Sequence, residues 1–242
     1  MESIRWGMLG CGNVTEVKSG PGFQKAKRSS LLAVMRRDAD KAADYAWRHG
    51  VTRCYSRAED LISDQEVDAV YVATPPSSHC ELALAVAAEG KPCLVEKPMG
   101  MNHAECLRMV EVFEEEGVPL FVSYYRRALP RFLRVRELLR AGVLGTLSSV
   151  SIVQYNQLAS GSAAGSWHFD PSISGGGLFV DLGSHGLDLL DFLVGPIGAV
   201  GGFSLNTGGA YAAEDVTAAV LQFESGLVGT GIWNFNADHS ED

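Results

Sequence analysis

Between Gly175 and Leu193 the chain reads GGGLFVDLGSHGLDLLDFL, an apolar run into which Asp181, His185 and Asp188 are set. On one α-helix these positions, i, i+4 and i+7, share a single stripe. An imidazole with a carboxylate one turn away is suited to moving a proton, because the acid orients the ring and stabilises its charged form. Gly183 and Gly186 flank the histidine, and each costs a helix ~1 kcal/mol relative to Ala. The pattern therefore predicts a helix with a reason for bare backbone, namely a closely approaching ligand.

A second group able to move protons stands in Val95-Glu96-Lys97-Pro98, where an apolar run ends. A lysine at the end of a buried strand, next to an acid and before a proline, is held in place and partly desolvated, which fits it for proton transfer. A surface Lys/Glu pair is the structural alternative. Lys97–Pro98 is also a candidate cis peptide.

Near the start, Gly10-Cys11-Gly12-Asn13-Val14-Thr15 follows an apolar run and leads into a helix. This is a G-x-G-x-x-T version of the dinucleotide fingerprint, with Thr15 in place of the third glycine. Gly10 permits the tight turn and Gly12 lets the backbone approach a pyrophosphate resting on the helix N-terminus, with Asn13 and Val14 beside it. Where NAD binders place an acid for the ribose hydroxyls, the chain has Arg36 and Arg37, which suit a 2′-phosphate. NADP is thus expected over NAD, an order that reverses if Asp38, a natural helix cap, reaches the ribose instead. Ala73-Thr74-Pro75-Pro76 and His79 follow another apolar run and would border a cofactor, although His79 also reads as a hydrogen-bonded residue at a helix start.

Short apolar runs alternate with amphipathic ones through the first half, the rhythm of parallel strands joined by helices. Ile4–Leu9, Leu31–Met35, Ala69–Ala73, Cys93–Val95 and Leu120–Val122 read as strands. Ala39–His49, Glu81–Glu89 and Ala104–Glu116 read as helices, and a further helix opens at Pro130 and closes at Gly142. A doubly wound sheet over 1–123 follows. From residue 124 a second, α+β domain is expected, with strands at Leu147–Tyr155, Val200–Asn206, Val216–Phe223 and Val228–Phe235 in an open, mainly antiparallel sheet. A Ser/Gly-rich loop from Ala159 to Gly177 holds Trp167 and His168 and is long enough to suggest a functional role.

The 242 residues, 46% of them hydrophobic, suffice for a real core. No apolar run reaches the ~18 residues of a membrane span and the first residues lack a signal-peptide pattern, so a cytoplasmic protein with no membrane partner is expected. The five cysteines are widely and irregularly spaced and read as packed free thiols, with no metal site. A net charge of −9, with no Lys or Arg after Arg140, argues against nucleic acid as a partner. The basic run Arg126–Arg140 reads as a solvated helix face.

Taken together, the glycine turn, the Ala-Thr-Pro-Pro loop, Glu96-Lys97-Pro98, Tyr125-Arg126-Arg127, and Gly175-Gly176-Gly177 followed by Asp181-x-x-x-His185 resemble the Gfo/Idh/MocA family of NAD(P)-dependent oxidoreductases. The resemblance implies Lys97 and His185 as the catalytic pair, with Asp181 binding substrate or orienting His185. It implies Glu96 and Pro98 near the nicotinamide, and Tyr125 and Arg126 lining the cleft. Trp167 and His168 would set specificity, and some relatives place an arginine where this chain has His168. The expected function is hydride transfer between NADP and a secondary alcohol or carbonyl of a sugar, polyol or diol, by a homodimer or homotetramer assembled through the second sheet. A redox-neutral NAD(P)-dependent glycosidase and a non-catalytic dinucleotide-binding protein are the alternatives. Family members commonly continue past the position of Asp242, so a fragment or a shortened sheet is expected.

Overall fold

Six short strands build one sheet in the first of two units into which the chain divides, Met1–Ser123 and Tyr124–Asp242. The computed structural model describes residues 3–157 and 166–238. In the first unit β1 (Ile4–Leu9), β2 (Ser29–Met35), β3 (Arg53–Tyr55), β4 (Ala69–Val72), β5 (Cys93–Val95) and β6 (Leu120–Val122) lie in the order β3-β2-β1-β4-β5-β6. Every pairing is parallel. This is the doubly wound order, whose direction reverses between β1 and β4 and leaves a crevice at the strands' carboxyl ends. Central β4 is buried at every residue, which is why it reads as a continuous apolar run.

The helices of this unit follow from capping and face. In α3 (Ala39–His49) the Asp38 side chain accepts from Lys41 N, Ala42, Tyr45 and Ala46 are buried at i, i+3 and i+4, and Gly50 ends the helix at φ +65°. Helices α5 (His79–Ala88) and α6 (His103–Glu115) cover the sheet farther along. Strand β3 and helix α4 (Ala58–Ile62) escape the sequence reading, because elements of three and five residues are too short to display a period. The segment after the glycine turn differs from expectation as well. It is two short pieces, α1 (Asn13–Val17) and α2 (Ser19–Lys25), parted at Lys18.

In the second unit α7 (Pro130–Arg140) precedes β7 (Ser149–Tyr155), and β8 (Ile197–Leu205), β9 (Val216–Phe223) and β10 (Val228–Asn234) complete a four-stranded sheet ordered β7-β10-β9-β8. The two hairpin pairings are antiparallel, as expected. The β10–β7 pairing is parallel, which makes the sheet mixed. No tight turn joins those two strands, so nothing local dictates their relative direction.

The Gly175–Leu193 run is not one helix. A short α8 (Pro171–Ser174) stops at Gly175 with φ +83°, a π turn spans Phe179–Gly183, and α9 (Ser184–Leu193) follows. Ser184 N donates to Phe179 O five residues back, so Asp181 and His185 do not hold the register of a single α-helix. One sheet face carries Leu221, Phe223 and Trp233, packed with Ile152 and Leu190 of α9. The other face presents Phe203, Leu205, Val220, Val228 and Val153, all exposed.

Candidate active-site residues in the two units

In the first unit the expected cofactor residues gather at the carboxyl ends of β1, β2, β4 and β5. Gly10 sits at φ +97°, and a Cβ there would lie 2.8 Å from Ala73 O and 3.0 Å from Thr74 N, so only glycine lets this turn pass the Ala73–Thr74 backbone. Gly12 is different: a Cβ on it would meet nothing within 4 Å. A positive-φ turn followed by open space over bare backbone fits the approach of a pyrophosphate. Asn13 and Val14 begin α1 and are exposed. With five residues, α1 contributes little macrodipole, and what the turn offers is chiefly its backbone.

Thr15, in place of the third fingerprint glycine, is fully buried. Its hydroxyl donates to Gly12 O at 2.8 Å and its carbonyl accepts from Tyr45 Oη at 2.9 Å. The bare backbone needed for close packing has moved downstream. A Cβ on Gly20 would come within 2.3 Å of both Thr15 O and Tyr45 Oη.

Arg36 is half-buried and its Nη1 donates to Cys11 O at 2.8 Å, so this guanidinium lies across the glycine turn, while Arg37 is exposed. Asp38 is engaged as a cap and pairs with Lys41 Nζ at 3.0 Å. Thr74 and Pro75 are half-buried, and Thr74 Oγ1 accepts from Ser78 Oγ at 2.8 Å. His79, read as a cofactor contact, takes a different place. It is 1% exposed, with Nδ1 2.9 Å from Pro98 O and Nε2 2.7 Å from Thr74 O. Both ring nitrogens are turned to backbone, so the ring joins the Thr74 and Pro98 loops rather than presenting an atom to a ligand. Burial pushes its pKa down, opposed by the two carbonyls, which favour a proton on each ring nitrogen.

Lys97 is half-buried just past β5, and the Lys97–Pro98 bond is cis. Glu96 secures this corner: one carboxylate oxygen accepts from Tyr71 Oη and the other from Lys97 N at 3.2 Å. Tyr71 Oη also reaches Ser19 Oγ at 3.1 Å. Burial and the neighbouring Glu96 carboxylate raise the Tyr71 pKa, so it stays a phenol able to donate.

In the second unit His185 is 4% exposed, with the Tyr124 and Tyr125 rings edge-on at centroid distances of 5.8 and 5.4 Å. Asp181 is half-buried in the π turn, where its N–H donates to Gly177 O at 3.2 Å. Asp188, one turn beyond His185, is buried and accepts from Arg127 Nε at 2.7 Å. Arg127 Nη2 also reaches Asp191 at 2.9 Å. Burial pushes the Asp188 carboxyl up, against the pull of Arg127 that holds it charged. Arg126 is half-buried in the 3₁₀ turn Tyr125–Ala128, and Tyr125 is exposed.

The two helix glycines need a different explanation from the one the sequence suggested. A Cβ on Gly183 would lie 2.6 Å from Phe179 Cδ2 and 3.3 Å from Trp233 Cδ1, and one on Gly186 would lie 2.5 Å from Ile152 Cδ1. The bare backbone serves packing of α9 on the sheet. Close approach explains Gly177 too, where a Cβ would meet Glu214 O at 2.6 Å, and Glu214 Oε1 accepts from Gly177 N at 3.1 Å.

Trp167 and His168 stack at 3.7 Å, and His168 Nδ1 lies 3.0 Å from Ser166 Oγ. Trp167, Phe169, Asp170, Ile173 and Tyr211 line a cavity of about 410 Å³. The Ala159–Gly165 part of the expected specificity loop, like the terminal His239-Ser240-Glu241-Asp242, lies outside the described residues. Among the described residues, no group of three or more His, Cys, Asp or Glu could hold a metal, and no helix is long and apolar enough to cross a membrane. Tyr71, Arg127 and Glu214 were not legible as site residues, because each acts through a partner far away in sequence.

A doubly wound sheet with a glycine turn at its switch point, followed by a mixed-sheet unit bearing a buried histidine, defines a class of nucleotide-dependent oxidoreductases. Residues 4–124 match the oxidoreductase family with an NAD-binding Rossmann fold, and residues 132–242 match the GFO/IDH/MocA C-terminal domain. The chain belongs to the Gfo/Idh/MocA oxidoreductase family. An oxidoreductase of Formosa agariphila is 42% identical over 247 residues, covering 100% of this chain and 76% of the relative. The mouse trans-1,2-dihydrobenzene-1,2-diol dehydrogenase is 30% identical, covering 94% and 67%. Among solved structures, the WlbA dehydrogenase of Bordetella pertussis, in complex with NADH and UDP-GlcNAcA, superposes with a TM-score of 0.88 at 27% identity, covering 99% of this chain and 69% of its own.

Proposed function

We propose that the chain is an NADP-dependent oxidoreductase acting on a secondary alcohol, or the matching carbonyl, of a sugar, polyol or diol. The observation that carries this reading is the Glu96-Lys97-Pro98 corner at the carboxyl end of β5, held by Tyr71 on one side and His79 on the other. It puts a lysine at the sheet edge where open α/β folds bind ligands. Gly10, Gly12, Asn13 and Val14 would hold the pyrophosphate, Arg36 and Arg37 a 2′-phosphate, and Thr74, Pro75, Glu96 and Pro98 the nicotinamide end. A bound nicotinamide supplies the two-electron acceptor or donor for the carbon centre. The chain's own part is the proton: Lys97 and His185 are the groups suited to take it or return it, and Asp181 would orient the imidazole. Trp167 and His168 contribute to substrate choice.

The substrate class is supported by two relatives, the mouse diol dehydrogenase and the 1,5-anhydro-D-fructose reductase of Ensifer adhaerens. The second unit would also assemble the chain into a homodimer or homotetramer through its exposed apolar sheet face. The direct test is NADPH formation with a panel of sugars, polyols and diols, beside Lys97→Ala and His185→Ala. Wild-type turnover that falls at least a hundredfold in both variants is expected. Unchanged rates in both would remove the proton-transfer assignment, and conversion without net NADPH would point to redox-neutral chemistry.

A further inference from the structure

The 3₁₀ turn Tyr125–Ala128 has no buried residue, yet Tyr125 and the adjoining Tyr124 set their rings edge-on to an almost fully buried His185. Core packing does not hold this turn. Arg127 ties it to α9: its Nε and Nη2 both lie 2.7 Å from Asp188 Oδ1 and its Nη2 also reaches Asp191. The guanidinium further lies over the Phe192 ring, 5.5 Å from its centroid. All three α9 partners lie within seven residues of His185, on the same rigid helix.

The geometry points to Arg127 as a positioning residue that sets the tyrosine walls around His185. The planar fork suits this task, because two carboxylates one turn apart fix both its place and its rotation, which a lysine's single ammonium does not reproduce. Asp188 is the inner anchor. Its side chain is 6% exposed and its Oδ2 has no hydrogen-bond partner among the described residues, so the Arg127 contact at Oδ1 is what compensates the buried carboxylate. Asp191, at 45% exposed, is the outer and weaker anchor.

This inference rests on the proposed proton-transfer role of His185 only for its catalytic consequence, since the placement of the rings is readable without turnover. The test is carried out on the full chain with ring-labelled histidine, the His185 signals being assigned by His185→Gln. In Arg127→Gln the His185 ring protons, now displaced by the ring currents of two edge-on tyrosines, are expected to move toward the position of an unstacked imidazole. The kcat falls by about 10- to 100-fold, as for a misplaced catalytic group, while NADP affinity stays as in wild type. Arg127→Lys, which keeps the charge and one contact, gives an intermediate shift and an intermediate kcat, and serves if the glutamine variant does not fold. His185 signals that stay at their wild-type positions in the folded variants overturn the inference. A wild-type chain inactive on every alcohol tested removes the catalytic reading, while the ring signals still decide whether Arg127 places the tyrosines.

Discussion

Alanine at Gly183 separates two explanations of the glycines beside His185. If they make room for a ligand, Gly183→Ala removes a helix-destabilising residue and stabilises the fold by ~1 kcal/mol. The packing gives the opposite sign. The new methyl would stand 2.6 Å from Phe179 Cδ2, 3.1 Å from Cε2 and 3.3 Å from Trp233 Cδ1, where carbon pairs prefer about 3.5–4.0 Å. The Phe179 ring cannot retreat freely, because it meets Trp233 at 5.1 Å and 67° and Trp233 is fully buried. Overpacking of this kind costs about 1–3 kcal/mol, so the net loss, after the helix gain of ~1 kcal/mol, is about 1 kcal/mol. Gly186→Ala meets only the end of a flexible side chain, Ile152 Cδ1 at 2.5 Å, with Trp233 Nε1 at a comfortable 3.6 Å. Turning that methyl aside costs about 0.5–1.5 kcal/mol, which nearly cancels the gain. Urea unfolding of the three proteins by linear extrapolation reads these differences directly. A Gly183→Ala protein more stable than wild type, with substrate binding lost, would refute the packing argument.

Three further outcomes are expected. Arg37→Ala should weaken NADP binding by about tenfold or more while leaving NAD nearly unaffected, as a lost phosphate contact would; titrating both cofactors checks it, and tighter binding of NAD by wild type would overturn the preference. Hydrogen bonds from Arg48, opposed by burial and joined by His49, lower the Glu16 carboxyl to about 2 from an ordinary 4.5. A depressed folded-state value stabilises above the unfolded one, so the stability gap between wild type and Glu16→Gln should be full at pH 7 and close as the pH falls from 4.5 toward 2, as urea melts at each pH would show. Phe203 is 81% exposed on the open sheet face, and Phe203→Asp should reduce the sedimenting species to a monomer; a wild-type monomer at high concentration would contradict assembly through that face.

Much of the first unit is legible in the residues because its determinants are local. Asp38 and Gly50 bracket α3, and β1, buried over its last three residues, and the buried β4 and β5 stand between turns as mainly apolar runs. The glycine turn and the Glu96-Lys97-Pro98 corner are likewise contiguous, so type and spacing alone mark them. Sequence also brought Asp181 and His185 into view, and it marked Gly183 and Gly186 as unusual. It could not say why, since the atoms that require them are Ile152 on β7 for Gly186, and for Gly183 the Phe179 ring held in place against Trp233 on β10.

Tertiary structure decided what depends on groups distant along the chain. It moved the close-packing glycine from the fingerprint's third place to Gly20, against Thr15 and Tyr45. It turned His79 from a ligand contact into a link between two loops, and it paired β10 with β7 in parallel across a long excursion. It also gave Arg127 its carboxylates, more than sixty residues away. The physical division is one of range. Caps, turns and apolar periods act through neighbouring residues and are written in the chain, whereas steric room, buried polar partners and strand direction are set by atoms that only folding brings together.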